Sequence, residues 1–324
     1  MRDKYNREIK YLRVSLTELC NLRCRYCMPY DGVCKKKHEE MMTEEETISA
    51  IRVAAKLGIT KIRLTGGEPL LKKNIINIVS NIKKIDGIEE VCMTTNAVLL
   101  DKYANDLKNA GLDRINISLD TLKEDKFKYI TRLGNLQDTL NGLEKALEEG
   151  FKKIKINTVL IGGFNDDEIV DFAKITIDKP IDVRFIELMP MYDSGDFGEK
   201  AFMPYDKALE RIITYFGNDN IEKSENAKGS VAKLYKIKDA KGYLGFISPV
   251  NNHFCAECNR IRLTADGKLK PCLHSSQEIV IKGLSEDEME KKIVEAIYAK
   301  PEKHDELSYV SRSKSNRNMN EIGG

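Results

Sequence analysis

From Tyr11 to about Pro190 one unit recurs six times, a short strand followed by a helical stretch, and this rhythm confines the chain to a parallel sheet covered by helices. The strands read as residues 11–17, 61–65, 90–96, 113–120, 153–161 and 183–189. Thr43 ahead of Glu44-Glu45-Glu46 marks a helix start, and Gly58 marks that helix's end. Six such units suit an incomplete (β/α)6 TIM-like barrel, laterally open, within the α/β class.

The strands alternate in an unusual way. Val14, Leu16, Ile62, Leu64, Ile115, Ile117, Leu119, Ile154, Ile156, Val183 and Phe185 fall on one face, whereas strands buried on both faces usually read as continuous apolar runs. The other face carries Arg13, Ser15, Thr17, Lys61, Arg63, Thr65, Thr94, Asn96, Arg114, Asn116, Ser118, Asp120, Lys155, Asn157 and Arg184. With the apolar face on the helices, the polar face lines the concave side, which in an ordinary barrel holds branched aliphatics. Either it forms a cation-rich ligand cavity, or these residues satisfy one another or meet water. Unpaired Lys and Arg facing inward are costly without an anion.

Straight after the first strand comes Cys20-Asn21-Leu22-Arg23-Cys24-Arg25-Tyr26-Cys27, spaced C-x3-C-x2-C. Three thiols with no fourth ligand at motif distance leave a metal position open. An iron–sulfur cluster with one free iron, a zinc site completed from elsewhere, and plain buried thiols all fit the spacing; soft thiolates in a short loop favour the cluster. Sites in parallel α/β folds gather at the strands' C-terminal ends, here Thr65-Gly66-Gly67-Glu68-Pro69, Thr94-Thr95-Asn96, Ser118-Leu119-Asp120 and Glu187-Leu188-Met189-Pro190. Gly66-Gly67 lets backbone approach a ligand, or is only a turn.

Beyond Pro190 the rhythm stops. A loop over residues 193–198, a helix over 205–215 and a hairpin over 231–237 and 243–247 follow. The chain thus divides into a partial barrel, 1–192, and a C-terminal α+β extension, 193–324. A second triplet, Cys255, Cys258 and Cys272, is spaced C-x2-C-x13-C, with His253 and His274 as the candidates to complete a zinc site. Arg260 and Arg262 alternate onto one face of an intervening strand and suit phosphate or a purine edge, or are solvated surface arginines; Asp266-Gly267 reads as the hairpin turn that follows.

Lys plus Arg is 53 against 51 Asp plus Glu, so the net charge of +2 gives no global pull toward nucleic acid or membrane. The charged start and the lack of an apolar run of about 18 residues lead us to expect a soluble cytoplasmic protein. Eight Cys, six of them in two triplets, favour metal binding over a disulfide scaffold; Cys34 and Cys92 are left as packed thiols.

The C-x3-C-x2-C loop, with an aromatic before its last cysteine, resembles the signature of radical S-adenosylmethionine (SAM) enzymes. Adding Arg63-Leu64-Thr65-Gly66-Gly67-Glu68-Pro69-Leu70-Leu71, Asn116-Ile117-Ser118-Leu119-Asp120, Arg184-Phe185-Ile186-Glu187, the second triplet and the terminal Ile322-Gly323-Gly324, almost the whole chain closely resembles the GTP 3′,8-cyclase family, which begins molybdenum-cofactor biosynthesis. The resemblance implies two [4Fe–4S] clusters. The one on Cys20, Cys24 and Cys27 would cleave SAM to a 5′-deoxyadenosyl radical, with Tyr26, Gly67, Ser118 and Met189 contacting SAM. The other, on Cys255, Cys258 and Cys272, would bind guanine through its free iron. Arg13, Lys61, Arg63, Thr94, Lys155, Arg260 and Arg262 match the family's GTP contacts. The radical removes the 3′ hydrogen of GTP, and C3′ then joins C8.

Gly323 and Gly324 match a tail that family members thread into the active site, although composition alone lets the polar stretch 311–317 stand as a disordered end. The resemblance further implies a reductant such as flavodoxin or ferredoxin, cyclic pyranopterin monophosphate synthase as the next enzyme, and no nucleic-acid or membrane partner; it allows a homodimer. Ala97 departs from the family, which usually has Gly there. A radical enzyme that modifies peptides would carry more auxiliary cysteines, and a zinc-ribbon binding protein would hold zinc; neither accounts for Arg260, Arg262 and the Gly-Gly end together.

Overall fold

In the computed structural model, residues 1–33, 36–191, 197–225, 231–250, 254–308 and 311–323 are described. Cys34, His253, Gly324 and most of the expected 193–198 loop lie outside them. Six strands run parallel in chain order, β1 (Tyr11–Ser15), β2 (Lys61–Thr65), β3 (Glu90–Thr95), β4 (Arg114–Ser118), β5 (Ile154–Leu160) and β6 (Ile181–Glu187). β2 has the expected bounds. β6 begins two residues before the expected start, because Asp182, a residue that usually breaks strands, stands directly opposite Lys155 of β5 and pairs with it.

The remaining strands are β7 (Ile221–Ser224), β8 (Lys233–Ile237), β9 (Leu244–Ile247), β10 (Arg260–Leu263), β11 (Lys268–Lys270) and β12 (Ile279–Val280). The expected hairpin forms between β8 and β9, and Asp266-Gly267 does turn β10 into β11, with Gly267 at φ +77°. The parallel pairing of β9 on β6 and of β10 on β1 was not legible beforehand. Among the described residues twelve strands form one sheet, β12-β11-β10-β1-β2-β3-β4-β5-β6-β9-β8-β7. Register then aligns side chains across it: Lys61, Tyr11 and Arg260 make one row, and Arg63, Arg13 and Arg262 the next.

The helix Glu44–Lys56 starts where expected, Thr43 and Glu46 forming a reciprocal capping box, and Gly58 follows it at φ +89°. The expected 205–215 helix runs Tyr205–Phe216. A helix at Glu286–Tyr298, capped by Ser285 with Glu288, was not assigned from the sequence. The apolar strand face packs on the helices: Val14, Ile62, Leu64, Ile115, Ile117, Ile156, Val183 and Phe185 are all fully buried. Cys92 is a packed thiol, as expected. No described helix is long and apolar enough to cross a membrane.

Candidate active site

The polar strand face encloses a cavity of about 770 Å³. Arg13, Lys61, Arg63, Thr94, Lys155, Arg260, Arg262, Tyr26, Gly67, Ser118, Met189 and all six triplet cysteines line it. The two triplets therefore face one space. Nine Lys and Arg side chains line that space against the carboxylates Glu89, Glu90 and Asp120, an excess suited to a polyanion.

The expectation of unpartnered inward cations holds only in part. Glu90 pairs with Lys61 and, at 2.7 Å, with Arg114; Asp182 pairs with Lys155. These acids sit at or near the strands' N-terminal ends, in step with the lumen face, Glu90 at period two with Thr94 and Asp182 with Arg184. Deeper in, Arg63 donates to the Tyr11 hydroxyl and to Thr94 Oγ1 at 3.3 Å. Arg260 lies 5.7 Å from both the Tyr11 and Phe254 rings, and the buried Nε atoms of Arg184 and Arg260 have no hydrogen-bond partner among the described residues. Burial pulls Arg184 and Arg262 down to about 10 and Lys155 down to about 8, with Arg184 adding to the effect on Lys155.

The first triplet is held by its surroundings. Leu22 N–H donates to Cys20 Sγ at 3.4 Å and Asn96 Nδ2 at 3.7 Å; Asn320 N–H donates to Cys27. Burial pushes the Cys20 thiol up to about 11 and Cys27 up to about 12, so donors aimed at the sulfurs serve the ligating thiolate rather than the neutral thiol. Gly66 and Gly67 are needed chiefly for close packing. A Cβ on Gly67 would stand 2.2 Å from the Leu19 carbonyl oxygen, and one on Gly66 2.4 Å from that of Thr17. This contact seats the cysteine loop on the end of β2.

Two buried carboxylates flank that loop. Glu68 accepts from Thr95 Oγ1 at 2.7 Å and Asn96 N–H at 2.8 Å, and burial raises it to about 7. Asp120 accepts from the Tyr26 hydroxyl at 2.6 Å and Val159 N–H at 2.9 Å, and burial raises it to about 6. Ala97 takes φ +63°, the left-handed conformation for which glycine is the usual residue.

In the second triplet each sulfur also accepts a backbone N–H, Cys255 from His304, Cys258 from Arg260 and Cys272 from His274. His274 directs Nδ1 to Ser313 Oγ at 3.1 Å. Among the described residues no three His, Cys, Asp or Glu side chains are grouped for a single metal ion, and the zinc candidate His253 lies outside them. Amide donors aimed at three thiols, with no fourth side chain closing the set among the described residues, fit an iron–sulfur cluster with an exchangeable position.

The chain's end enters this region, and the disordered reading of 311–317 is overturned. Ser313, Ser315 and Arg317 are buried, every second residue turned inward. Arg317 donates to Asp266 at 2.8 and 3.1 Å and to Glu278 at 2.5 and 2.8 Å; Asp266 also pairs with Lys36. Beyond it, Arg262 donates to the carbonyls of Ile322 at 3.1 Å and Gly323 at 2.6 Å.

A parallel strand array with three open thiols at its C-terminal edge defines the class, and the chain belongs to the radical SAM superfamily, whose pattern matches residues 14–175. A second pattern, Molybdenum Cofactor Synthesis C, matches 181–306. The chain is similar along its full length to proteins named GTP 3′,8-cyclase: 47% identical to that of Alkaliphilus oremlandii, 48% to that of Clostridium botulinum strain Langeland and 44% to that of Moorella thermoacetica, each covering 100% of both chains. Among solved structures, Streptococcus suis SuiB bound to S-adenosylmethionine superposes with a TM-score of 0.68 at 16% identity, covering 92% of this chain and 68% of that one. Native anSMEcpe with bound AdoMet gives 0.59 at 13%, covering 92% and 82%. These two share the fold.

Proposed function

We propose that this chain cyclises GTP between C3′ and C8, the first step toward molybdenum cofactor, as the names of its full-length relatives indicate. The observation that carries the reading is that both thiol triplets and the cation rows open onto one cavity. Cys20, Cys24 and Cys27 would hold one [4Fe–4S] cluster and Cys255, Cys258 and Cys272 the other. When bound, the first supplies the electron for reductive cleavage of SAM, and the second a vacant iron for the guanine.

The chain's own residues bind, orient and exclude. Arg13, Lys61, Arg63, Lys155, Arg260 and Arg262 neutralise the triphosphate, with Thr94 donating a hydroxyl. Tyr26, Gly67, Ser118 and Met189 hold SAM. Tyr26 is oriented by Asp120, and the Gly67 backbone by its hydrogen bond to the Thr17 carbonyl at 2.7 Å. Binding both molecules in one water-poor cavity brings the reacting carbons to near-attack distance without a general base. We assign Gly323 and Gly324 an assisting role in catalysis, supported by the Arg262 hydrogen bond to the Gly323 carbonyl.

We also assign the division at 192/193, a cytoplasmic location, flavodoxin or ferredoxin as reductant, cyclic pyranopterin monophosphate synthase as the following enzyme, and a homodimer. The test of the central reading is anaerobic: load iron and sulfide, reduce, add SAM and GTP, and follow products by mass spectrometry. Formation of 5′-deoxyadenosine with a dihydro isomer of GTP supports it. Deoxyadenosine without any nucleotide product overturns the substrate while leaving the radical chemistry.

A further inference from the structure

A buried ammonium is ordinarily matched by a carboxylate. Lys300 is only 2% exposed, and among the described residues no carboxylate pairs with it. Its three N–H bonds go instead to the Arg260 carbonyl at 2.6 Å, the Pro271 carbonyl at 3.0 Å and Cys258 Sγ at 3.8 Å. An ammonium has three donors, so all are used on the second triplet. One reaches a ligand sulfur, one the backbone two residues after Cys258, and one the backbone immediately before Cys272.

Lys300 does not line the cavity, so it meets the thiols from behind and touches neither substrate nor SAM. Its backbone is fixed by Arg7, which donates to the Pro301 carbonyl at 2.7 Å, the Glu302 carbonyl at 3.0 Å and the Cys255 carbonyl at 2.8 Å. Carbonyl dipoles alone leave a full charge uncompensated in a desolvated place. The complementary negative charge is the thiolate set that ligates metal.

We infer that Lys300 is a positioning residue of the second metal centre, tying the Cys258 and Cys272 segments into one ligand set and favouring the more negative, reduced state of the cluster they hold. This rests on the reading that the second triplet holds an iron–sulfur cluster. The first triplet has mixed surroundings, the carboxylates Glu68 and Asp120 together with Arg23 and Arg132. A nearby cation eases addition of an electron, and its removal makes reduction harder.

The test uses the full chain, loaded anaerobically with iron and sulfide, as wild type, Lys300→Leu and Lys300→Gln. Iron release to a chelator and a reductive titration followed by electron paramagnetic resonance are the readouts. In Lys300→Leu the second centre should lose iron about 10-fold faster than wild type, the lower end for loss of an outer-shell partner. Its midpoint should also move to lower potential. Lys300→Gln keeps donors but not charge, so it should hold iron better yet show the same lowered midpoint; it carries the test where the leucine variant does not fold. SAM cleavage without GTP should stay at the wild-type rate. A second-centre midpoint equal to wild type in the glutamine variant overturns the inference. Wild type taking up iron for one cluster alone overturns the two-cluster reading beneath it.

Discussion

Replacing Gly323 by Ala should undock the tail. Gly323 has φ +67°, where an L side chain costs about 1 kcal/mol or somewhat more. Its Cβ would stand 2.4 Å from Thr65 Cγ2, against roughly 3.5–4.0 Å for a relaxed carbon contact, and Thr65 is a buried β-branched residue with little freedom to turn. Forcing that contact adds about 2 kcal/mol. The sum, about 3 kcal/mol, lowers the ratio of docked to free tail on the order of 100-fold. Amide hydrogen exchange over residues 311–323 reads this directly. Adding Thr65→Ser deletes the offending methyl and should restore the part due to the contact while leaving the part due to φ. Protection in Gly323→Ala within about 2-fold of wild type would refute the reasoning.

Arg317→Met should loosen the same segment by removing its ion pairs with Asp266 and Glu278, which keep Lys36, Lys268 and Lys270 as partners. Losing these charge-assisted hydrogen bonds while both acids keep lysine partners costs about 2 kcal/mol, read as faster proteolysis after residue 311. Burial opposes ionisation of Asp266, but Arg317 and Lys36 outweigh it and hold its carboxyl well below the usual range. A depressed carboxylate stabilises the fold fully above its unfolded value, about 4. That contribution fades as pH falls through the folded value, so tail protection should persist at pH 5 and weaken only in stronger acid. Lys155, at about 8, should make GTP binding weaken as pH rises from 7 to 9; calorimetry should show Lys155→Met weaker throughout and without that slope. Arg260→Ala should impair GTP use while iron content and SAM cleavage without GTP stay intact; loss of iron would point to a structural role instead.

Repeating strand and helix periods made the six-unit array legible, because each unit carries its own alternation and caps. The lumen was legible for the same reason: Arg13, Lys61, Arg63 and Lys155 break an otherwise apolar pattern at period two. What could not be read were relations set by long-range pairing. Arg13 meets Arg262 only because β10 lies on β1, a register between residues about 250 apart that no local pattern encodes. Glu90 falls inside the strand read from the sequence and Asp182 just outside one, but that each acid answers a lumen lysine shows only once the strands are paired. The 311–317 stretch is polar by composition, yet Ser313, Ser315 and Arg317 are buried, Ser313 against His274 and Arg317 on acids contributed by other segments. Lys300 gave no signal at all, since a lysine just past a helix usually reads as a solvated terminus.

The placement of β9 and β10 bears on how this enzyme can be taken apart. By lying on β6 and β1, they cover both free margins of the six-strand array, and the margins left to the whole sheet are β12, two residues long, and β7, four. Unpaired long strands invite association with other chains, and short ones do not. A fragment cut after residue 192 would bare the five-residue β1 and the seven-residue β6 together. The part after residue 192 therefore acts as a solubility guard for the catalytic array as well as a contributor of ligands, and exchange between relatives should move the two parts as a matched set.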